Sequence, residues 1–156
     1  MKEIRDLKEY VELLLNKSTA ETPYWNKEKM QSGKENTWNY IDGCMIYAIL
    51  ELYKITKDKK YLEFAVEFVN SFVDEEGNIR TYEVEEYNLD NINPGKNLFT
   101  LYDLTGDERY KKALQKIYRQ IEEMPRTPSG NFWHKEIYPN QVWLDGIYMA
   151  MPFYME

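Results

Sequence analysis

The chain has 156 residues, enough for one domain with a buried core and too few to require two, so we expect a single domain over residues 1–156. Its composition, 43% hydrophobic and 30% charged, is that of a soluble globular protein. The formal net charge of −7 argues against nucleic acids and anionic membrane surfaces as partners, because neither gains by binding an acidic protein.

The residue content also limits metal, disulfide and membrane chemistry. Cys44 is the only cysteine and lies in an apolar helical pattern, which predicts a small buried hydrophobe and no internal disulfide. There is one histidine and no CxxC pair, so a structural zinc site is not expected. No apolar run approaches the roughly 20 residues of a membrane span. A charged N-terminus that leads into an amphipathic helix predicts a cytoplasmic protein.

Apolar residues recur at helical spacing over the first half of the chain. They predict a helix over residues 3–16, with Ile4 and Leu7 on its apolar face, followed by a polar loop that contains Pro23 and Gly33. A second helix runs from about residue 37 to 55, and Asp58 is a good N-cap for a third. The turn at residues 74–78 ends that helix, and residues 79–84 are predicted to be extended.

The second half continues the helical pattern. A fourth helix is predicted over residues 89–104, with its regular part starting at Pro94, since proline favours the first helical position. Asp107 caps a fifth helix, and residues 125–130 form a loop. Pro139 is predicted to open the sixth helix, which places Asp145 in its early turns.

These helices form a repeat. The pattern Leu52-Tyr53-x-x-Thr56-x-Asp58-x-x-Tyr61 recurs 49 residues later, from position 101 to 110. The short Thr-x-Asp link is typical of two antiparallel helices, so the repeat predicts an array of αα-hairpins with a period near 50 residues. In each unit the first helix is the more apolar, which predicts an inner helix followed by an outer one.

The repeat also places acidic residues. Asp42, Asp90 and Asp145 fall near the starts of successive inner helices, where N–H groups and the helix dipole favour a carboxylate by ~0.3–1 kcal/mol. We expect them to gather at one rim beside aromatic residues that include Tyr40 and Trp143 and to form a site. The alternative is three repeated helix caps, and that interpretation is stronger for Asp42 than for the other two.

The stretch from residue 132 to 154 holds the only histidine, His134, two of the four tryptophans, and Asp145 as a lone acid in an apolar run. An ionisable group in such surroundings is costly to bury unless it is hydrogen-bonded or used in chemistry. A carboxylate beside flat aromatic surfaces suits a sugar-processing site. A capping or core-linking aspartate is an equally weighted alternative.

Three motifs resemble a known family. They are Tyr138-Pro139-Asn140-Gln141-Val142-Trp143-Leu144-Asp145-Gly146 with Met151-Pro152-Phe153-Tyr154, the segment 89–96, and Trp38-x-Tyr40-x-x-Gly43. Together they resemble the unsaturated rhamnogalacturonyl and unsaturated glucuronyl hydrolases, family 105 of the glycoside hydrolases. The resemblance implies an all-α fold, an αα-hairpin toroid, of which this chain is three hairpins, the first half of an (α/α)6 barrel. Open edges of a half-barrel would expose apolar surface and favour a homo-oligomer.

The resemblance implies hydration of a vinyl ether. The substrate would be a disaccharide whose non-reducing uronic acid carries a C4–C5 double bond. Asp145 would give a proton to C4 and then accept one from water, and Asp90 would hold substrate hydroxyls or that water. To carry its proton, Asp145 is expected to be buried beside Trp143 and close to the charge of Asp90. No cofactor or metal is implied.

The resemblance also implies a substrate-binding set of four residues: Tyr40, His134, Trp143 and Lys135. Lys135 would supply positive potential for the uronate carboxylate, although the residues alone favour a solvated loop lysine, and the role of Lys96 is equally open. Two other classes of function remain: a non-catalytic helical module that binds a carbohydrate or a protein, and an inactive fragment of a larger hydrolase.

Overall fold

A computed structural model describes residues 6–156, with side chains described at all of these positions except 28 and 30. Within this range there are no strands, only isolated bridges between Val73 and Ile79 and between Arg126 and Phe132. The all-α prediction is therefore confirmed. The α-helices are α1 Leu7–Asn16, α2 Lys27–Ser32, α3 Tyr40–Thr56, α4 Lys59–Asn70, α5 Lys96–Thr105, α6 Glu108–Glu123 and α7 Leu144–Tyr154.

The predicted caps of the outer helices are confirmed. The Asp58 carboxylate accepts a hydrogen bond from Lys60 N at 3.2 Å at the start of α4, and Asp107 accepts one from Arg109 N at 3.0 Å at the start of α6. Each cap satisfies a backbone N–H group that has no partner within its helix. The first predicted helix is found as α1, and its expected apolar residue Ile4 lies outside the described residues.

Several predicted boundaries are wrong. The polar loop before α3 contains the short helix α2, which the Asn26 side chain caps by accepting from Lys29 N at 3.3 Å. The predicted extended segment 79–84 makes one bridge and then enters a 3-10 turn at Val84–Glu86. The sixth helix starts at Leu144 and not at Pro139, because Asn140 has a φ of 60°, which a right-handed helix does not allow.

Two complete hairpins organise the molecule. Helix α3 packs against α4, and α5 packs against α6, while α3 and α5 also contact each other as the inner pair. Two 3-10 turns, Leu89–Asn91 and Asn93–Gly95, precede α5 and form the surface on which α7 packs. Helix α1 meets α4 through Glu12, which accepts hydrogen bonds from Lys60 and Tyr61. The core is formed by apolar residues of all these elements.

Glycines at the starts of inner helices allow close packing around the 3-10 turns. A Cβ atom at Gly43 of α3 would lie 2.8 Å from Pro94 Cα, and one at Gly146 of α7 would lie 3.2 Å from His134 Nδ1. Since real Cβ atoms do not approach backbone at 2.8 Å, position 43 requires glycine. In the Asp-Gly pairs at 42–43 and 145–146, the aspartate thus places a carboxylate in the first helical turn, and the glycine beside it lets a neighbouring segment approach closely.

Two further expectations were tested by the fold. Cys44 is only partly buried, so the prediction of a buried hydrophobe is wrong, and its Sγ atom lies 3.7 Å from Asn93 Oδ1. Across residues 6–156, no helix combines the length and the apolar character needed to cross a membrane. A single domain over residues 1–156 stays a prediction.

Candidate active site

Three polar side chains from different elements meet beside α7. Asp90 lies in the 3-10 turn Leu89–Asn91, His134 in the loop after α6, and Asp145 in the first turn of α7. One ligand atom from each, a carboxylate oxygen or a ring nitrogen, lies within 4.8 Å of the others. The structure therefore brings together the two acids and the histidine that the sequence analysis singled out.

Asp42 has a different position. Its carboxylate is buried and accepts hydrogen bonds from Trp25 Nε1 at 2.8 Å, Asn36 Nδ2 at 2.7 Å and Asn39 Nδ2 at 2.9 Å. Burial raises the pKa of Asp42 above its ordinary value, while these hydrogen bonds oppose the shift. Asp42 thus ties the segment before α3 to the start of that helix. The expectation that it joins a three-acid site is wrong, because its oxygens are already occupied.

Lys135 is paired with Asp90. Its ammonium nitrogen lies 2.7 Å from Asp90 Oδ2, and the two side chains are only 22% and 15% exposed. The interpretation of Lys135 as a solvated loop lysine is therefore wrong. The ion pair leaves Asp90 Oδ1 free to face His134, whose Nε2 lies 3.5 Å away.

His134 is fully buried, yet neither ring nitrogen makes a hydrogen bond with any described residue. Burial lowers the pKa of His134 below its ordinary value, Asp90 and Asp145 oppose this shift, and Lys135 adds to it. The imidazole is therefore neutral at neutral pH and carries one N–H donor and one lone pair. A buried polar group without a partner is costly, so an unpaired ring of this kind points to a role in binding or catalysis.

Trp143 stacks with two other rings. Its indole stacks on His134 with centroids 4.2 Å apart and on Tyr138 with centroids 5.3 Å apart, and the planes differ by 10° and 20°. The indole N–H donates to Gln141 Oε1 at 3.0 Å. Sequence reasoning missed Tyr138 and Gln141 in this arrangement, and the only available signal was their closeness to Trp143 in the chain.

Tyr40 and Lys96 lie outside the cluster formed by Asp90, His134 and Asp145. Tyr40 is the first residue of α3, is 39% exposed, and makes no ring, ionic or hydrogen-bond contact with the cluster among the described residues. Lys96 lies over the rings of Tyr47 and Tyr148, at 4.9 and 4.4 Å from their centroids, and its Nζ is 3.1 Å from Tyr148 Oη. It therefore links the three inner helices α3, α5 and α7.

Asp145 is exposed to solvent, so the expectation that it is buried beside Trp143 is wrong. An oxygen of its carboxylate nevertheless lies within 4.8 Å of the ligand atoms of Asp90 and His134, so the exposed side chain still faces them. Two cavities border the cluster. One of about 240 Å³ is mainly apolar and includes Trp143, Phe132 and Ile147; another of about 430 Å³ includes Lys135 and three glutamates.

A histidine and two carboxylates are chemically suited to a divalent cation. In this cluster, however, the Lys135 ammonium already places a positive charge 2.7 Å from one of the carboxylates. A cation at the centre would be repelled by that ammonium. The absence of a metal from the site stays a prediction, and the lysine supports it.

Comparisons with known proteins identify the family of the chain. A sequence model described as Glycosyl Hydrolase Family 88 matches residues 15–156. The unsaturated rhamnogalacturonyl hydrolase YesR of Bacillus subtilis (strain 168) is 23% identical over 119 residues, which cover 72% of this chain and 33% of YesR.

A solved structure gives the same result for the fold. A glycoside hydrolase from family 105 of C. acetobutylicum ATCC 824 is 48% identical, with a TM-score of 0.75 over 76% of this chain and 33% of that chain. The predicted fold class, a partial αα-hairpin toroid, is thereby confirmed. This chain spans about a third of the length of both relatives.

Proposed function

The chain belongs to glycosyl hydrolase family 88, and from that premise we propose that it acts on disaccharides whose non-reducing uronic acid carries a C4–C5 double bond. Family membership confirms the resemblance seen in the sequence motifs. The substrate class is supported by YesR, whose name is that of an unsaturated rhamnogalacturonyl hydrolase. The observation that carries the proposal is the meeting of Asp90, His134 and Asp145 beside the Lys135 ammonium.

The proposed reaction adds water across the double bond. The Asp145 carboxyl gives its proton to C4, and the electron pair of the double bond forms the new C–H bond while positive charge develops at C5 and on the ring oxygen. Water attacks C5, and the Asp145 carboxylate takes the proton that this water loses. The hemiketal then opens, and the second sugar leaves. Because one carboxyl gives and regains the proton, the usual distance rule for paired glycosidase carboxylates does not apply.

Asp90 and His134 would bind the reactants. The free Oδ1 atom of Asp90 can accept a hydrogen bond from a sugar hydroxyl or from the attacking water. The neutral His134 ring can donate to or accept from the same groups, which would satisfy its unpaired nitrogens. Lys135 adds positive potential close to where an anionic uronate would lie, although its ion pair with Asp90 partly neutralises that potential.

Tyr40 and Trp143 are proposed to line the cleft. Both are about 40% exposed, at 39% and 40%. Tyr40 is the better candidate for a flat contact with a sugar ring, because the Trp143 indole already stacks with His134 and Tyr138.

The second candidate function is a non-catalytic helical module that binds a carbohydrate or a protein, or an inactive portion of a longer hydrolase. The observation that favours it is the exposure of Asp145 in a chain that covers 33% of its relatives. Binding by such a module would depend on Tyr40 and His134 and not on a transferable proton.

We also propose a second copy of the chain as a partner. Helix α7 exposes Leu144 at 86%, Ile147 at 57% and Tyr148 at 50%, although it is an inner helix by its place in the repeat. An apolar face of this kind favours association. A cytoplasmic location, a saccharide ligand and the lack of nucleic-acid and membrane partners stay predictions.

The test is the loss of the ultraviolet absorbance of the conjugated double bond when the purified chain meets an unsaturated uronyl disaccharide. We expect absorbance to fall with the wild type and to persist with Asp145→Asn, which keeps the shape of the side chain but removes the transferable proton. Asp103→Asn, which changes an exposed carboxylate on α5, is the matched control and should retain activity. A folded wild-type chain without activity that still binds the disaccharide would support the binding module instead.

A further inference from the structure

The loop between His134 and Trp143 forms a closed unit. His134 N donates to Gln141 O at 2.8 Å, and inside this ring Tyr138 N donates to Lys135 O and Gln141 N donates to Tyr138 O. Asn140 adopts the left-handed backbone conformation that this reversal needs. The backbone therefore returns upon itself and brings residue 143 back to residue 134.

Within this unit the side chains form one stack in the order Tyr138, Trp143, His134. Tyr138 is partly buried, and its ring stacks on the indole of Trp143. Gln141 also holds the indole in place, because its side-chain oxygen accepts a hydrogen bond from Trp143 Nε1. Trp143 is thus packed against two rings and hydrogen-bonded at its N–H.

His134 depends on this stack for its orientation. Neither ring nitrogen makes a hydrogen bond with a described residue, so the plane of the ring is fixed by packing. Trp143 covers one face of that ring, and the absence of a Cβ atom at Gly146 leaves room for Nδ1. If the indole moved, the imidazole would be free to rotate Nε2 away from Asp90.

We propose that Tyr138 is a positioning residue for the site: it supports Trp143, and Trp143 in turn holds the His134 ring with Nε2 directed at Asp90. The proposal rests on the proposed function for its catalytic consequence, but not for its structural part. Displacement of a binding group by about 1 Å can reduce turnover by up to about 10²-fold.

The test uses His134 as a spectroscopic reporter, since it is the only histidine in the chain. Its imidazole proton resonances are followed against pH in the wild type, in Tyr138→Leu, which removes the ring, and in Tyr138→Phe, which keeps it. Tyr118→Leu, which removes an exposed ring on α6, is the matched control. Circular dichroism verifies that each variant is folded.

We expect Tyr138→Leu to reduce the shift that the indole ring current imposes on His134 and to move its titration midpoint up, toward that of a solvated histidine. Tyr138→Phe and Tyr118→Leu should match the wild type in both readouts. Folded Tyr138→Leu protein with unchanged His134 resonances and midpoint would overturn the proposal. So would a Tyr138→Phe variant that behaves like Tyr138→Leu, because the proposed support of Trp143 comes from the ring and not from the hydroxyl.

Turnover is a separate arm. If the wild type hydrates the unsaturated disaccharide, Tyr138→Leu should lower kcat by about 10- to 100-fold with a smaller change in KM, and Tyr138→Phe should restore it. Unchanged kcat in Tyr138→Leu would overturn the catalytic consequence. An inactive wild type would contradict the proposed function, while the His134 resonances would still decide whether Tyr138 positions the ring.

Discussion

The Lys135 ammonium lies 2.7 Å from Asp90 Oδ2, and the opposite oxygen of the same carboxylate lies 3.5 Å from His134 Nε2. One carboxylate therefore connects a charged lysine to a neutral, buried imidazole. Because the ion pair is largely shielded from solvent, loss of one partner would leave the other charge without its counterion. The site thus combines an ammonium, a carboxylate and an imidazole in direct succession.

Replacement of Lys135 should impair this arrangement. In Lys135→Met, Asp90 loses its charged hydrogen bond, and we expect kcat/KM for the unsaturated disaccharide to fall by roughly 10- to 100-fold, in line with a charged contact of about 1.5–3 kcal/mol. Lys135→Arg, which keeps the charge, should lose less. Steady-state kinetics on the three proteins checks this, and equal activities would show that the ion pair has no part in binding or turnover.

Metal removal should leave the wild type unchanged. A chelator is expected to have no effect on activity, because the ammonium of Lys135 occupies the electrostatic position that a cation would need. In Lys135→Met the same histidine and two carboxylates remain without that ammonium, so Zn²⁺ binding by isothermal titration should become tighter than in the wild type. Loss of wild-type activity on chelation would contradict the prediction.

The buried His134 should make folding stability depend on pH. Its pKa is lower in the folded protein than its ordinary value of 6.5, so the unfolded chain binds more protons as the pH falls. This contribution to the free energy of unfolding is fully present above pH 6.5 and decreases as the pH falls from there toward the lowered pKa. Urea unfolding across this window should show the decrease in the wild type and not in His134→Gln. Parallel pH profiles of the two proteins would contradict the assignment.

The parts of the fold that local chemistry determines were predictable, and the parts that depend on distant contacts were not. The caps Asp58 and Asp107 and the hairpins that they start follow from short-range patterns, so they were predicted correctly. The start of α7 was placed too early because nothing in the sequence requires Asn140 to be left-handed. Proline at position 139 is equally compatible with a turn.

The site shows the same division. The repeat located Asp90 and Asp145, but not the pairing of Asp90 with Lys135, because these residues are far apart in the chain and meet only after the loop folds back. Asp42 has the same place in the repeat as Asp145. It differs only because side chains outside the repeat, from Trp25 and Asn36, reach its oxygens.

Asp42 should therefore act on stability. In Asp42→Asn the carboxylate oxygens that accept three hydrogen bonds become one oxygen and one NH₂ group, which must face a donor. We expect the free energy of unfolding to fall by about 1–3 kcal/mol, the cost of an unsatisfied buried group. Chemical denaturation measures this, with Asp103→Asn as the exposed control.

The pH dependence of Asp42 has the opposite sign to that of His134. Its pKa is raised above 3.8 in the folded state, so folded protein binds more protons, and its contribution to stability falls as the pH rises from 3.8 through the raised pKa. Asp42→Asn should remove this fall. A variant as stable as the wild type with the same pH profile would show that the hydrogen bonds to Asp42 contribute nothing.

The exposed face of α7 should govern self-association. Leu144 and Ile147 lie on this helix with 86% and 57% of their surface exposed, and covering one such side chain stabilises a complex by about 1.5–3 kcal/mol. The wild type already carries a net charge of −7, so the double variant Leu144→Glu with Ile147→Glu adds repulsion between two copies and removes apolar area from the helix. We expect a wild-type dimer by sedimentation equilibrium and a dissociation constant raised about tenfold or more in the variant. Tyr118→Glu, which adds a charge on the outer helix α6, should leave the dimer unchanged. A wild type that stays monomeric at all accessible concentrations, or a Tyr118→Glu variant that dissociates equally, would show that α7 is not the interface.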